Sequence, residues 1–274
     1  MLKEENHLQE ESSGGVRIKL VNICKSYEGK SHDKKLNQLV ALKDISFEVK
    51  QNDFVVIVGP SGSGKSTLLS MIAGLSEPSS GSILLDDKEI TSPNPKKLSL
   101  MFQDSLLLPW RTVESNIMLP FEKSGTEVQA SERKERAKKY LGLVGLGGYE
   151  SFYPKQLSGG MKQRVALCRA LAMETDILLM DEPFGALDEQ TRLILSDELV
   201  NIWQRVRKTI VFVTHSLSEA IYLGNRIIVL SSRPGQVKDI IEVNLSRPRR
   251  FNTKEFGELS QRLWDELRRE ILRT

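Results

Sequence analysis

One nine-residue string constrains this chain more than any other feature: Gly59-Pro60-Ser61-Gly62-Ser63-Gly64-Lys65-Ser66-Thr67. It fits GxxxxGK[ST] in full. Before it stands a continuous apolar run, Phe-Val-Val-Ile-Val at 54–58, as expected of a strand buried on both faces of a parallel sheet. After it comes an apolar-periodic segment that predicts a helix from near Lys65. Strand, glycine-rich loop and helix in that order make a phosphate cradle. Glycines let the backbone turn its N–H groups inward, and the helix N-terminus adds its dipole. In such a cradle Lys65 reaches the β- and γ-phosphates, the Ser66 hydroxyl ligates Mg²⁺, and Thr67 sits near the α-phosphate.

A second string supplies what the cradle lacks. Ile177-Leu178-Leu179-Met180-Asp181-Glu182 predicts an apolar strand ending in two acids. By itself this reads as a solvated strand end. Behind a complete phosphate loop it places Asp181 where open α/β sheets bind ligands, to hold Mg²⁺ directly or through water. Glu182 follows as a general base for an attacking water.

Further strands are predicted at 17–27, 40–49, 81–85, 98–102, 210–214 and 227–230. Helical patterns separate several of them, which points to α/β layering. The pair 17–27 and 40–49 reads as an antiparallel meander at the edge of the fold, with a polar insert between its strands at 29–38. Residues 105–157 hold no strand pattern. The charge-rich helical stretch 126–143 and the glycines of 142–148 mark an inserted helical subdomain. Beyond the turn signal Arg233-Pro234-Gly235, residues 237–274 predict one strand and then an amphipathic helix. Its apolar stripe is Phe256, Leu259, Leu263, Leu267 and Ile271, with Thr253 as N-cap, and it is expected to pack on its own domain. Residues 1–15 are polar and mostly acidic, with no apolar core of a secretory signal, and read as a mobile tail.

Composition narrows the function classes. The 274 residues carry 39 lysines and arginines against 36 aspartates and glutamates, a formal charge of +3. That gives no basic surplus for a nucleic-acid partner. Two cysteines, Cys24 and Cys168, make neither a disulfide framework nor a metal cluster and fit a reducing cytosol. The apolar runs are strand-length, far short of the ~20 residues of a membrane span, so any membrane role is peripheral and through a partner. His7 and His32 lie in polar segments and read as solvated.

The string Leu157-Ser158-Gly159-Gly160-Met161-Lys162-Gln163 resembles the LSGGQ signature of ATP-binding cassette proteins, with Met161 where glutamine is usual. A Ser-Gly-Gly turn opening a helix is a second anion site without a lysine. The resemblance, which covers about residues 17–235, implies a P-loop NTPase core of RecA-like α/β type. An antiparallel β edge subdomain and an inserted helical subdomain go with it, and residues 16–236 would form the ATPase domain. It also implies that Ser158, Gly159, Gly160 and Met161 cover the γ-phosphate of ATP held by a second copy of the chain, so that two nucleotides are buried between two head-to-tail domains. Other motifs appear in the family's order. Tyr27, which alone would read as core or edge packing, matches the aromatic that stacks on adenine. Gln103 matches the residue that touches Mg²⁺ and water. Asp188, in Ala186-Leu187-Asp188, matches the turn that contacts the opposite subunit, and His215 the switch that contacts the γ-phosphate. Substrate and cofactor are thus ATP and Mg²⁺.

A narrower likeness lies in Leu107-Leu108-Pro109-Trp110-Arg111-Thr112-Val113, Tyr153-Pro154 and Leu230-Ser231-Ser232-Arg233-Pro234-Gly235. These are similar to the nitrate/sulfonate/taurine group of importer ATPases, which also takes in uptake systems for pyrimidine vitamin precursors. Trp110 falls where such ATPases receive the coupling helix of their membrane permease, though alone it would read as a buried aromatic. The implied protein is a peripheral ATPase at the cytoplasmic face of the cell membrane. It energises import of a small solute, a sulfonate, nitrate, taurine or similar anion or a vitamin precursor. Permease subunits and, indirectly, a solute-binding protein are its partners. An export or lipid-extraction ATPase and a soluble cassette ATPase acting on nucleic acid are the alternatives. One phosphate loop, one signature and no long heptad run speak against the latter. The insert at 29–38 and Cys168, where the group usually has alanine, are departures from the pattern.

Overall fold

A computed structural model describes residues 15–28, 38–122 and 129–272. The tail at 1–14, most of the insert (29–37), His7 and His32 lie outside the described residues, as does the start of the helical stretch predicted from 126.

The chain runs β1 (Val16–Glu28), β2 (Gln38–Lys50), β3 (Phe54–Val58), α1 (Lys65–Ile72), β4 (Ser80–Leu85), β5 (Lys88–Glu89) and β6 (Leu98–Met101). Next come α2 (Val113–Met118), α3 (Ala130–Leu143) and α4 (Gly159–Ala172), followed by β7 (Ile177–Asp181), α5 (Glu189–Val206), β8 (Thr209–Val213), α6 (Leu217–Leu223) and β9 (Arg226–Leu230). The strand β10 (Val237–Glu242) and the helix α7 (Lys254–Ile271) complete it.

Two sheets result. The larger has the order β10-β9-β3-β8-β7-β6, parallel from β9 to β6 with β10 antiparallel at one edge. In the smaller, β2-β1-β4-β5, all pairs are antiparallel. The predicted meander is present, but β1 is its inner strand, because β4 leaves the α/β layer and pairs with β1. A period of two allots the side chains of β3 to two cores. Val55 and Ile57 face the layer where α1, through Leu68, Leu69, Met71 and Ile72, packs between the sheets. Phe54, Val56 and Val58 face the other core, shared with α4, α5, α6 and α7. All five β3 residues are buried, which accounts for the unbroken apolar run.

Among the described residues of 105–157 there is no strand. Helices α2 and α3 instead pack against α4 through Val113, Ile117, Tyr140, Leu141 and Val165. Asn116, fully buried, ties this region down. Its Oδ1 accepts from Leu108 N at 2.7 Å and its Nδ2 donates to the carbonyls of Leu108, Arg111 and Thr112 at 3.0–3.1 Å. With the backbone held from inside, Leu107 packs against the core while Leu106 and Trp110 face out, Trp110 71% exposed.

The C-terminal helix docks on its own chain. Thr253 Oγ1 accepts from Phe256 N as N-cap, and Phe256, Leu263 and Leu267 are buried against α6 and Ile241. Leu259 is partly buried, and Ile271, expected in the stripe, is half exposed at the fraying end of the helix. Upstream, the buried Arg249 guanidinium donates to the carbonyls of Ile221, Tyr222, Gly224, Val243 and Leu245, pinning the segment before α7 to α6. Both cysteines are free; Cys168 is buried in α4, and burial pushes its thiol up. No helix among the described residues is long and apolar enough to cross a membrane.

Candidate functional site

Lys65, Ser66 and Thr67 open α1, immediately beyond the C-terminal end of β3. The residue before the helix, Gly64, holds φ +88°, a conformation an L side chain resists, and a Cβ there would meet Leu42 Cδ2 at 2.7 Å. Lys65 is buried, and its ammonium donates back to the carbonyls of Gly59 and Pro60 at 2.9 and 3.0 Å. Burial lowers its pKa, and the charges of Glu182 and Asp181 act in the opposite sense. A cation kept in a partly dry cradle by two neutral carbonyls is ready to exchange them for a polyanion.

Two strands away, β7 ends on Asp181. Its Oδ1 accepts from the Ser66 hydroxyl at 2.9 Å, which brings the two strings together. Burial raises the Asp181 carboxyl, and the Ser66 hydrogen bond offsets part of that. A divalent cation beside it would relieve the same penalty. Ser66 Oγ, the Asp181 carboxylate and the Gln103 amide oxygen are hard oxygen donors of the kind Mg²⁺ takes. No cluster of three or more metal-ligating His, Cys, Asp or Glu exists among the described residues.

Glu182 lies in the left-handed region at φ 42°, a strained conformation for a non-glycine residue of the kind that concentrates at functional sites. Its N–H donates to Val213 O at 2.9 Å, which fixes the turn against β8. The neighbouring β8 delivers His215, whose Nδ1 faces Glu182 Oε2 at 3.1 Å. A carboxylate only accepts, so His215 Nδ1–H is the donor in this contact.

These groups share one cavity of about 440 Å³, lined by Tyr27, Leu39, Ala41, Ser61, Gly62, Gly64, Lys65, Ser66, Thr67, Gln103, Glu182, His215 and Arg233. Gly59, Pro60, Ser63 and Asp181 are not among the lining residues. Tyr27 and Leu39 are cross-strand partners at the end of the β1–β2 pair, and both are about 40–45% exposed. Together they form an apolar rim of the cavity, suited to a base.

The signature residues are elsewhere. Ser158 caps α4, its Oγ accepting from Met161 N at 3.3 Å, while Ser158 and Gly159 are exposed and do not line the cavity. Gly160 packs against α5, where a Cβ would meet Thr191 Cγ2 at 2.8 Å. Asp188, also exposed, caps α5 by accepting from Thr191 N at 3.0 Å.

Three connections were not read from the sequence. Gln163, one turn into α4, donates to Gln103 O at 2.8 Å and so joins the signature helix to the cavity wall. Arg192 donates to Leu187 O at 3.0 Å and reaches the buried Glu219 at 3.5 Å. Glu219 in turn accepts from Thr214, next to His215. The third is Arg233, which the sequence marks as part of a turn and of the string at 230–235 but not as a wall of this cavity.

Compared with known proteins, residues 42–185 match the family described as ABC transporter. The chain is 44% identical over 273 residues to an uncharacterized ABC transporter ATP-binding protein, MJ0412, of Methanocaldococcus jannaschii, spanning 100% of this chain and 99% of that one. It is also 44% identical to the aliphatic sulfonates import ATP-binding protein SsuB of Bacillus thuringiensis subsp. konkukian, over 84% of this chain and 89% of that protein. Among solved structures, it is similar to the dimeric ATP-binding cassette MJ0796 bound to ADP and Pi. The TM-score is 0.73 and the identity 33%, over 84% of this chain and all of that one.

Proposed function

The chain belongs to the ABC transporter family and is an ATP-hydrolysing subunit of it, and from that premise we propose that it drives import of a small solute through separate permease subunits. The ATPase unit is residues 16–236, with 105–157 as its helical insertion. ATP lies with its base on Tyr27 and its phosphates in the 59–67 loop, where Lys65 balances their charge. Ser66, Asp181 and Gln103 are the residues that would hold Mg²⁺, which when bound would shield the charge of the phosphates. Glu182 accepts a proton from the attacking water, and His215 holds Glu182 in place while its other ring nitrogen faces the γ-phosphate.

A second copy completes the site. The observation that carries this is the position of Ser158 and Gly159: solvent-exposed at the N-terminus of α4, yet outside the cavity that holds Lys65. Head-to-tail pairing brings Ser158, Gly159, Gly160 and Met161 of one copy over the phosphates in the other, with Asp188 at the contact. The likeness to a dimeric cassette supports that arrangement.

Aliphatic sulfonates lead the candidate solutes, because several relatives at 43–45% identity bear that name. Nitrate, taurine and vitamin precursors follow. The permease dock is the 105–111 segment. There Leu106 and Trp110 are 54% and 71% exposed on a backbone that Asn116 and Arg169 hold rigid. Such an ATPase works at the cytoplasmic face of the membrane without entering it. Transport assays in proteoliposomes containing the permease test the reading. Trp110→Asp should abolish ATP-driven uptake while the isolated subunit keeps its ATPase rate. Parallel loss of both would remove Trp110 from the dock.

A further inference from the structure

Among the described residues, Lys65 and Arg233 are the two lysine or arginine side chains that line the nucleotide cavity, and Arg233 has no role in the mechanism above. Its place is set by backbone. Gly235 N donates to Ala41 O and Lys43 N donates to Gly235 O, both at 2.9 Å, so the turn after β9 is sewn to β2. Ser231 Oγ closes the turn from inside, donating to Pro234 O at 2.9 Å and accepting from Gln236 N at 2.9 Å. On its other flank the turn touches the phosphate loop so closely that a Cβ on Gly235 would lie 2.1 Å from Ser63 O. Glycine is the one residue that fits there. From this wedge the Arg233 guanidinium extends over the loop, its Nη2 3.5 Å from where a Cβ on Gly62 would stand.

We propose that Arg233 is a second cationic contact for the nucleotide and grips its α- and β-phosphates. The inference rests on reading the cavity as a nucleotide site with the base at Tyr27. Glu182, His215 and Gln103 mark the γ-phosphate end. The Arg233 turn is bonded instead to the wall that bears Leu39 and Ala41, between the base rim and the loop. A guanidinium presents paired donors that match phosphate oxygens. A contact with the α- and β-phosphates is made alike to ATP, to ADP and in the transition state. It therefore adds uniform binding and acts on KM far more than on kcat.

The test compares Arg233→Gln and Arg233→Lys with the parent chain, measuring Kd for MgATP and MgADP by calorimetry, and KM and kcat for hydrolysis. Both variants leave Ser231 and Gly235 in place, so the turn is kept. For Arg233→Gln, both Kd values and KM should rise by about tenfold or more, the usual scale for a hydrogen bond to a charged group, with kcat falling far less. Arg233→Lys should recover part of the loss. Unchanged affinity for both nucleotides in Arg233→Gln would overturn the proposal. So would a loss confined to ATP, which would put the contact at the γ-phosphate, and so would a fall in kcat at constant KM. A parent chain that binds neither nucleotide would instead overturn the cavity assignment itself.

Discussion

Glu182→Gln separates chemistry from binding at this site. The substitution keeps side-chain length, the left-handed backbone and an oxygen that can accept from His215 Nδ1–H, now 3.1 Å from Glu182 Oε2. It removes only basicity. Asp181 accepts from Ser66 at 2.9 Å and is assigned to Mg²⁺ rather than to the water. A positioned general base contributes about 10²–10⁴ in rate, so kcat should fall by that factor, about 2.7–5.5 kcal/mol of barrier. MgATP affinity should hold, since Lys65, Ser66 and the loop backbone are untouched. Because ATP then persists at both interfaces, dimers that the parent forms transiently should accumulate. Phosphate release and size-exclusion chromatography with MgATP, on the same protein, check both halves. Parental turnover in Glu182→Gln would refute the assignment and move water activation to Gln103, His215 or the phosphate itself.

Burial lowers the pKa of Lys65, and phosphates favour its charged form. Above the lowered pKa the lysine must take up a proton to bind, so nucleotide affinity should fall as pH rises into the alkaline range. Calorimetry in buffers of different ionisation enthalpy should then detect proton uptake; identical heats would contradict it. Asn116→Ala leaves the buried polar groups of the 108–112 backbone without their partner and should cost about 2–4 kcal/mol in denaturant unfolding. A loss below about 0.5 kcal/mol would mean that water replaces the amide.

Much of this was legible because phosphate chemistry demands residues at fixed short spacing. Lys65 and Ser66, and Asp181 and Glu182, could be paired from the sequence, and the model brings Ser66 and Asp181 into contact. Relations set by tertiary packing were not legible. The strand β4 shows Ile83 and Leu85 alternating as a strand of either sheet would, and its pairing with β1 depends on the crossover path. Glu219 looks like an ordinary helix residue, yet burial beside Arg192 and Thr214 raises its carboxyl and ties the Leu187 turn to the His215 strand. Arg233 sits in a turn signal, and its reach over Gly62 follows only from the fit of Gly235 against Ser63. Trp110 could be read either as core or as surface. Asn116, which decides the matter, is a polar residue whose burial nothing in the local pattern announces.

The central claim is that each ATP is hydrolysed by residues of two copies, and mixing two inactive variants measures it directly. Lys65→Ala removes the cation of the phosphate loop. Gly159→Asp places a carboxylate at the signature, at a position where a Cβ meets nothing within 4 Å, whereas at Gly160 it would strike Thr191. Each variant alone should be inactive. In a mixed dimer, the intact phosphate loop of the Gly159→Asp chain faces the intact signature of the Lys65→Ala chain, so one of the two sites is whole. Random pairing at equal concentrations should restore about a quarter of the parental ATPase activity if the two sites turn over independently. A mixture as inactive as its components, with mixed dimers demonstrated by differential tags, would contradict a site shared between copies.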